Sequence, residues 1–217
     1  MPLAIAAPNP GSLPPQPERA PAAPIFGWHS AVDPDRAEVE RFVQRVYARH
    51  FGAQVRHFAP QLVSLRDRAS GEIVAAAGYR QASVAPLFLE RYLDRPVEQC
   101  LSQPGAQVPS RDGIFEVGHL AAERAGEGRR LILLMARHLA ERGAQWVVST
   151  LTEELRHLFV RLGITPLALG RADAAALGGD AGEWGSYYEH HPVVLAGQVQ
   201  HALRLFERRR PVQGLGL

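Results

Sequence analysis

Apolar positions recur along this chain with two distinct periods. Behind Asp33-Pro34, which suits an N-cap with proline at the first helical position, Val39, Phe42, Val43, Val46, Tyr47 and His50 follow helical spacing; an amphipathic helix ending near Gly52 is predicted. Two extended runs follow, Gln61 to Arg66 and Glu72 to Arg80, and the intervening Asp67-Arg68-Ala69-Ser70-Gly71 has the composition of a hairpin turn. Leu87 to Leu101 is apolar at helical intervals but broken by Pro96, which predicts two short helical turns lying as a lid over a cleft. Gly113 to Ala122 then reads as a strand, Gly126 to Arg142 as a helix, Gln145 to Thr150 as a buried strand and Glu153 to Leu162 as a helix. A short apolar run spans Thr165 to Leu169. Trp184 to Val194 reads as an aromatic strand, and Leu195 to about Arg209 as a last helix with a stripe of Leu195, Val199, Ala202, Leu203 and Phe206.

Before residue 25 the chain is rich in Pro and Ala with no repeating apolar face, so burial there cannot offset the entropy of ordering. The expected organisation is a disordered leader over 1–25, one domain over 26–210 and a flexible tail over 211–217. A length of 217 residues with 46% hydrophobic content suits one sizeable core. All 24 basic residues are Arg, so the sequence pI of about 9.0 coexists with a formal charge of only +2, and a nucleic-acid partner is not implied. Cys100 stands alone and the first residues lack both a charged segment and a continuous apolar one, from which a reducing, cytoplasmic location is expected. The longest strongly apolar stretch, Leu131 to Ala136, is far short of the roughly 20 residues that cross a bilayer.

The segment with most chemistry is the turn Glu123-Arg124-Ala125-Gly126-Glu127-Gly128-Arg129-Arg130, between a strand and a buried helix. Gly126 and Gly128 let the backbone approach an anion, the free amides and positive end of the helix dipole favour phosphate oxygens, and Arg129 and Arg130 add charge. The competing reading is a tight turn before a packed helix. A dinucleotide fold would need a third glycine and a motif beside the first strand, whereas two strands precede this one.

Helix, antiparallel hairpin, strand, glycine turn, helix and strand is an order that resembles the GCN5-related N-acetyltransferase (GNAT) fold, whose pyrophosphate loop reads Gln/Arg-x-x-Gly-x-Gly/Ala. Glu123-x-x-Gly126-x-Gly128 matches except at Glu123, whose charge calls for compensation by Arg124, Arg129 or Arg130. A closer resemblance, from about Phe42 to Gly197, is to the thermostable hemolysins, a GNAT-like family related to autoinducer (acyl-homoserine-lactone) synthases. It rests on Ala77-Gly78-Tyr79-Arg80, Phe88 to Asp94, Phe115 to Ala121, Leu155 to Gly163 and Trp184-Gly185-Ser186-Tyr187-Tyr188; where His119 stands, the family commonly has Asn. The resemblance implies an α/β (α+β mixed) fold with a central, mostly antiparallel sheet flanked by helices. It implies an acyltransferase using acyl-CoA or an acyl-carrier protein, with acyl-pantetheine as co-substrate and no tightly bound cofactor. The acceptor would be a small amine or amino-acid-like molecule, and the protein a monomer or homodimer. Two alternatives stand beside it: a membrane-active hemolysin, as the family name suggests, and a non-catalytic module that binds acyl-pantetheine.

Aminolysis of a thioester needs a route for the amine proton and groups that polarise the carbonyl. Glu116 is the first candidate base, since strand alternation turns it away from Phe115 and Val117; the alternative is a solvent-facing carboxylate. His119 is a second, against a merely packed histidine. Arg80 pairs with Glu116, holds an acceptor carboxylate, or lies on the surface. Leu120 and Thr150 join Gly126, Gly128, Arg129 and Arg130 as donor contacts, while Thr152 suits a helix cap. Tyr187, with Tyr188, takes from the resemblance the role of protonating the leaving thiolate, against core packing. The last helix either docks on its own sheet or meets a membrane or carrier protein. No spacing of metal ligands or of Ser, His and Asp stands out, so neither a metal nor a serine nucleophile is expected.

Overall fold

The computed structural model describes residues 23–208 except 103, 104, 106 and 125. Most of the expected leader, the tail, Ala125, Arg209 and Arg210 therefore lie outside the described residues. Seven strands form one sheet in the order β1-β2-β3-β4-β5-β7-β6. They are β1 (Ile25–His29), β2 (Gln61–Arg66), β3 (Ile73–Gln81), β4 (Ile114–Ala122), β5 (Trp146–Leu151), β6 (Leu167–Arg171) and β7 (Val193–Gln198). Every neighbouring pair is antiparallel except β4 and β5.

One face of the sheet is covered by α1 (Arg36–Phe51), whose buried Val39, Phe42, Val43, Val46 and Tyr47 pack on Leu62, Ile73, Ala76 and Ala121. The other carries α3 (Glu127–Ala140), which packs Leu131, Met135 and Leu139 on Val63, Ala77, Phe115 and Val117. Alternation along β4 thus feeds two cores at once. α2 (Val97–Cys100), α4 (Glu153–Arg161) and α5 (Val199–Arg208) complete the helices.

α1 begins later than predicted. Asp33 Oδ1 accepts the Asp35 amide at 2.8 Å in a turn of its own, and the N-cap is Asp35. Its end does fall at Gly52, left-handed at φ 65° with its amide on the Ala48 carbonyl. In the hairpin, Asp67 Oδ1 takes the Ala69 and Ser70 amides, both at 2.9 Å. The predicted lid is two short turns, a 3-10 helix at Phe88–Tyr92 and then α2. Glu90 fastens them: it accepts the Leu87 amide at 2.7 Å and the Val97 amide at 3.0 Å and forks onto Arg111. Against the upward push of burial, Arg111 and those amides hold its carboxyl at about 2.

The C-terminal third departs from the expected pattern. Trp184 to Val194 is not a strand: two 3-10 segments, Ala174–Trp184 and Tyr187–His190, carry its aromatic residues, and β7 begins only at Val193. Leu195 lies in β7, between β5 and β6, rather than in the last helix. A strand buried on both faces is apolar without alternation, so its sequence also fits a helical stripe. β1 escapes the periodicity because an edge strand with one covered face is short and mixed. α5 lays Ala202, Leu205 and Phe206 against Ile132 and Leu162, which covers its apolar face. Among the described residues no helix is long and apolar enough to cross a membrane.

Candidate functional site

β4 and β5 pair only through Ile114↔Trp146, Phe115↔Val147 and Glu116↔Val148. Beyond Glu116 the two strands separate, opening the sheet from Val117 and Ser149 onward. On its other side β4 bulges: His119 and Leu120 stand opposite Ala77 alone, between the pairs Gly78↔Gly118 and Ala76↔Ala121. His119 adopts φ 53°, rare for a residue with a side chain. The extra residue lets Glu116, Gly118 and His119 all line one cavity while Leu120 packs toward the α3 core.

Two cavities meet at this opening, sharing Val117 and Leu120. The larger, about 430 Å³, is walled by aromatic residues of the lid, the 53–59 loop and the 3-10 segments, among them Phe58, Phe88, Tyr92, Trp184 and Tyr188. The smaller, about 80 Å³, is lined almost wholly by apolar side chains of α3, α5, β7 and the end of α4, including Met135, Phe159, Leu195, Ala202 and Phe206.

At the apex of the opening sits Glu116, 8% exposed. Its carboxylate accepts the Phe88 amide at 2.8 Å and the Leu89 amide at 3.0 Å, so it anchors the lid's first turn. Burial pushes this carboxyl above the usual range, against Arg80 and those two amides. Arg80, its partner in the β3–β4 ladder, brings Nε to 3.4 Å from Oε2 and, among the described residues, makes no side-chain hydrogen bond. His119 has its Nε2 3.1 Å from the His57 carbonyl, to which it donates, so Nδ1 carries the lone pair; Nδ1 is buried without a partner beside Gly78. Burial, with Arg80 and Arg36, keeps the ring neutral down to about pH 4. Thr150 lines the same cavity with Oγ1 buried and unpartnered. Tyr187 donates its hydroxyl to the Thr150 carbonyl at 3.2 Å, and burial raises its pKa well above the ordinary value.

The glycine turn stands at the end of β4. Gly126 is the left-handed N-cap of α3, φ 88°, a conformation that favours glycine. Gly128 follows in the first helical turn, where added bulk would meet only Ala122. Among the described residues exposed Arg129 has no ion pair or hydrogen bond, whereas Arg130 is held by Glu127 at 3.1 Å. Glu123 is compensated differently from the expectation. Arg45 of α1 reaches it at 3.1 Å and Arg49 at 3.9 Å, while Arg124 turns to Asp67 and Glu72. Thr152 is the residue before α4 but makes no side-chain cap.

Sequence reasoning missed most of the aromatic wall and the whole apolar chamber. The chamber draws on β4, α3, β5, α4, β7 and α5 and the wall on the lid, the 53–59 loop and the two 3-10 segments, and the only signal was aromatic density at 88–92 and 184–188. It also missed a Ser-His-Asp relay: Ser64 Oγ lies 2.9 Å from His29 Nε2, and His29 Nδ1 3.3 Å from Asp33. Ser64 is 0% exposed, so no substrate reaches it; the relay ties edge strand β1 to β2 and to the turn before α1. Among the described residues no group of three or more His, Cys, Asp or Glu is arranged to hold a metal.

Residues 29–203 match the family model described as "Thermostable hemolysin". No curated protein matches the chain. Among solved structures it is similar to the CoA-dependent acyl-homoserine lactone synthase BjaI with SAM and isopentyl-CoA, at 15% identity and TM-score 0.56 over 86% of this chain and 89% of that one. It is similar to FeeM, an N-acyl amino acid synthase from uncultured soil microbes, at 13% identity and TM-score 0.56 over 82% and 93%. It is also similar to a putative N-acetyltransferase from Lactobacillus plantarum, at 15% identity and TM-score 0.52 over 82% and 99%. The fold is GNAT-like, as the order of elements implied.

Proposed function

The chain belongs to the thermostable hemolysin family, and from that premise we propose that it is an acyltransferase moving an acyl group from acyl-CoA or an acyl-carrier protein to a small amine. The observation that carries this reading is the opening between β4 and β5, which has an anion-ready helix N-terminus beside it and a cavity on either side. Diphosphate rests on the α3 amides of the Gly126–Arg130 turn with Arg129. The pantetheine arm follows Leu120 and Thr150 into the opening. The acyl chain fills the apolar chamber and the acceptor occupies the larger cavity.

In that arrangement the amine nitrogen attacks the thioester carbonyl carbon, the C–N bond forms, the C–S bond breaks and the thiolate leaves. Glu116 at the apex accepts the proton shed by the amine, and the sulfur takes up a proton to leave as thiol. A carboxyl held above its usual range by burial is a stronger base than a solvated one, which suits this task. His119, neutral, positions the bulge that turns Glu116 and Leu120 to opposite sides. Tyr187, engaged by the Thr150 carbonyl, fixes the β5 rim of the opening and is the proposed source of the thiol proton.

Native mass spectrometry and thermal shift against CoA, acetyl-CoA, long-chain acyl-CoAs and acyl-carrier proteins test this, because a ligand that binds only the native state raises its stability. Retention of one donor and release of its thiol on adding amines are expected. No binding to any of them sinks the reading.

A further inference from the structure

Two arginines that line the acceptor cavity, Arg80 and Arg91, make no side-chain hydrogen bond among the described residues, and of the two only Arg80 is mostly covered. The third lining arginine, Arg56, is 2.9 Å from Glu183, and half-exposed Arg91 lies over the Phe88 ring and 3.9 Å from Asp180. Arg80 is paired with Glu116 through Nε at 3.4 Å, but it is mostly covered and, among the described residues, none of its side-chain N–H groups is in a hydrogen bond. Glu116 accepts one amide on each oxygen, Phe88 on Oε2 and Leu89 on Oε1, which leaves each oxygen a further lone pair for a ligand donor. A guanidinium presents five N–H donors in a planar fork that matches a carboxylate in two parallel hydrogen bonds. Three-quarters covered in an aromatic cavity, ion-paired at Nε alone and with none of the five in a hydrogen bond among the described residues, the Arg80 fork suits a ligand anion.

The charge of that anion is limited by what stands beside it. Glu116 is next to Arg80 and would repel a phosphate dianion, but it complements a positive group on the atom adjoining a carboxylate. An α-ammonium next to an α-carboxylate has that pattern and spacing. Around the pair, Phe58, Phe88, Tyr92 and Trp184 offer an apolar wall with no further charge to satisfy.

Building on the acyl-transfer reading above, we infer that the acceptor is a free α-amino acid with a large apolar or aromatic side chain, its carboxylate forked on Arg80 and its amine on Glu116 at the apex of the β4–β5 opening. The ammonium first gives one proton to Glu116, which passes it to solvent; the neutral nitrogen then attacks the thioester carbon and sheds its second proton to the regenerated carboxylate as the C–S bond breaks. Arg80 is then a binding residue for the acceptor, and Glu116 both binds and deprotonates it.

The test compares acceptors that differ only by the carboxylate, phenylalanine against phenethylamine and leucine against isoamylamine, in thiol release from whichever acyl donor the full-length protein turns over. Wild type is expected to prefer the amino acid by about 30- to 100-fold in kcat/KM, the value of a charge-assisted fork. Arg80→Gln should collapse that preference to within about threefold, and Arg80→Lys should keep part of it. Because the readout is a ratio within one protein, partial loss of folding does not mimic the result. Equal use of amine and amino acid by wild type, or an unchanged ratio in Arg80→Gln, overturns the inference while leaving acyl transfer standing. If no donor is turned over, it is the acyl-transfer reading that falls. Calorimetry then decides the site directly: phenylalanine binding that phenethylamine does not reproduce and Arg80→Gln abolishes sustains it, and absence of such binding refutes it.

Discussion

Arg80 and Glu116 face each other across the β3–β4 ladder with 3.4 Å between Nε and Oε2, yet no hydrogen bond joins them. The carboxylate accepts the Phe88 and Leu89 amides instead. The last residue of β4 paired with β5 therefore anchors the lid, while the cation beside it keeps its terminal nitrogens out of any hydrogen bond among the described residues. A buried carboxylate with two backbone donors is a structural group as well as a candidate base, and variants at Glu116 must be read on both scales.

Glu116→Gln removes the charge and turns an amide toward backbone donors. We expect turnover to fall by at least about 100-fold with donor binding retained, and stability to fall by about 1–3 kcal/mol. Steady-state kinetics beside CoA titration and urea unfolding check this; unchanged turnover takes Glu116 out of the chemistry.

Arg129 is the basic residue of the turn that has no partner among the described residues, while Arg130 is held by Glu127. Arg129→Ala should raise the Kd for CoA about tenfold and leave the Kd for a pantetheine fragment lacking the diphosphate unaltered. Equal weakening of both ligands would show that the residue does not meet the phosphates.

Phe206 of α5 and Met135 of α3 line the apolar chamber. Phe206→Ala lengthens the space, so preference among acyl-CoAs should move to chains longer by two or more methylenes, at about 0.8 kcal/mol for each methylene newly buried. A chain-length series of kcat/KM measures it. An unmoved optimum would place the acyl chain elsewhere.

His138 is 8% exposed, with Nδ1 accepting from Arg142 at 3.1 Å and Nε2 meeting the Tyr79 hydroxyl at 3.0 Å. Burial, and secondarily Arg142, lower its pKa from 6.5 to about 4. The unfolded chain therefore binds the proton more readily, so this contribution to stability is complete above pH 6.5 and is lost as pH falls toward 4, by up to about 3 kcal/mol. Urea unfolding between pH 7.5 and 4 should show the decline, and His138→Gln should flatten it.

Gly185 adopts φ 51° and ψ −130°, and a Cβ there would overlap the Phe51 carbonyl oxygen at the end of α1. That carbonyl also accepts the Ser186 amide at 2.8 Å, so the 184–188 wall of the cavity is pinned to α1 through a backbone contact only glycine permits. Gly185→Ala should cost about 3 kcal/mol or more and loosen the wall. Thermal unfolding with tryptophan fluorescence, in which Trp184 reports locally, measures both.

The helical periods of α1 and α3, the Asp67 turn, the break at Pro96 and the glycine turn before α3 were legible in the sequence because each depends on residues within one turn of each other. The lid, the chain positions of β2 to β5 and the position of Glu116 on the opposite side of β4 from Phe115 follow from the same local rules, whereas edge strand β1 did not. Tertiary structure alone decided the rest. β7 could not be told from a helix, since burial on both faces erases alternation. Glu123 looked compensated by its neighbours in sequence, but Arg45 and Arg49 reach it from α1, 78 and 74 residues earlier. The bulge at His119, the placing of Arg80 beside Glu116 in the cavity and the chamber closed by Phe206 arise where strands and helices distant in sequence meet. Periodicity records which side of its own element a residue faces, and carries no information about what stands opposite.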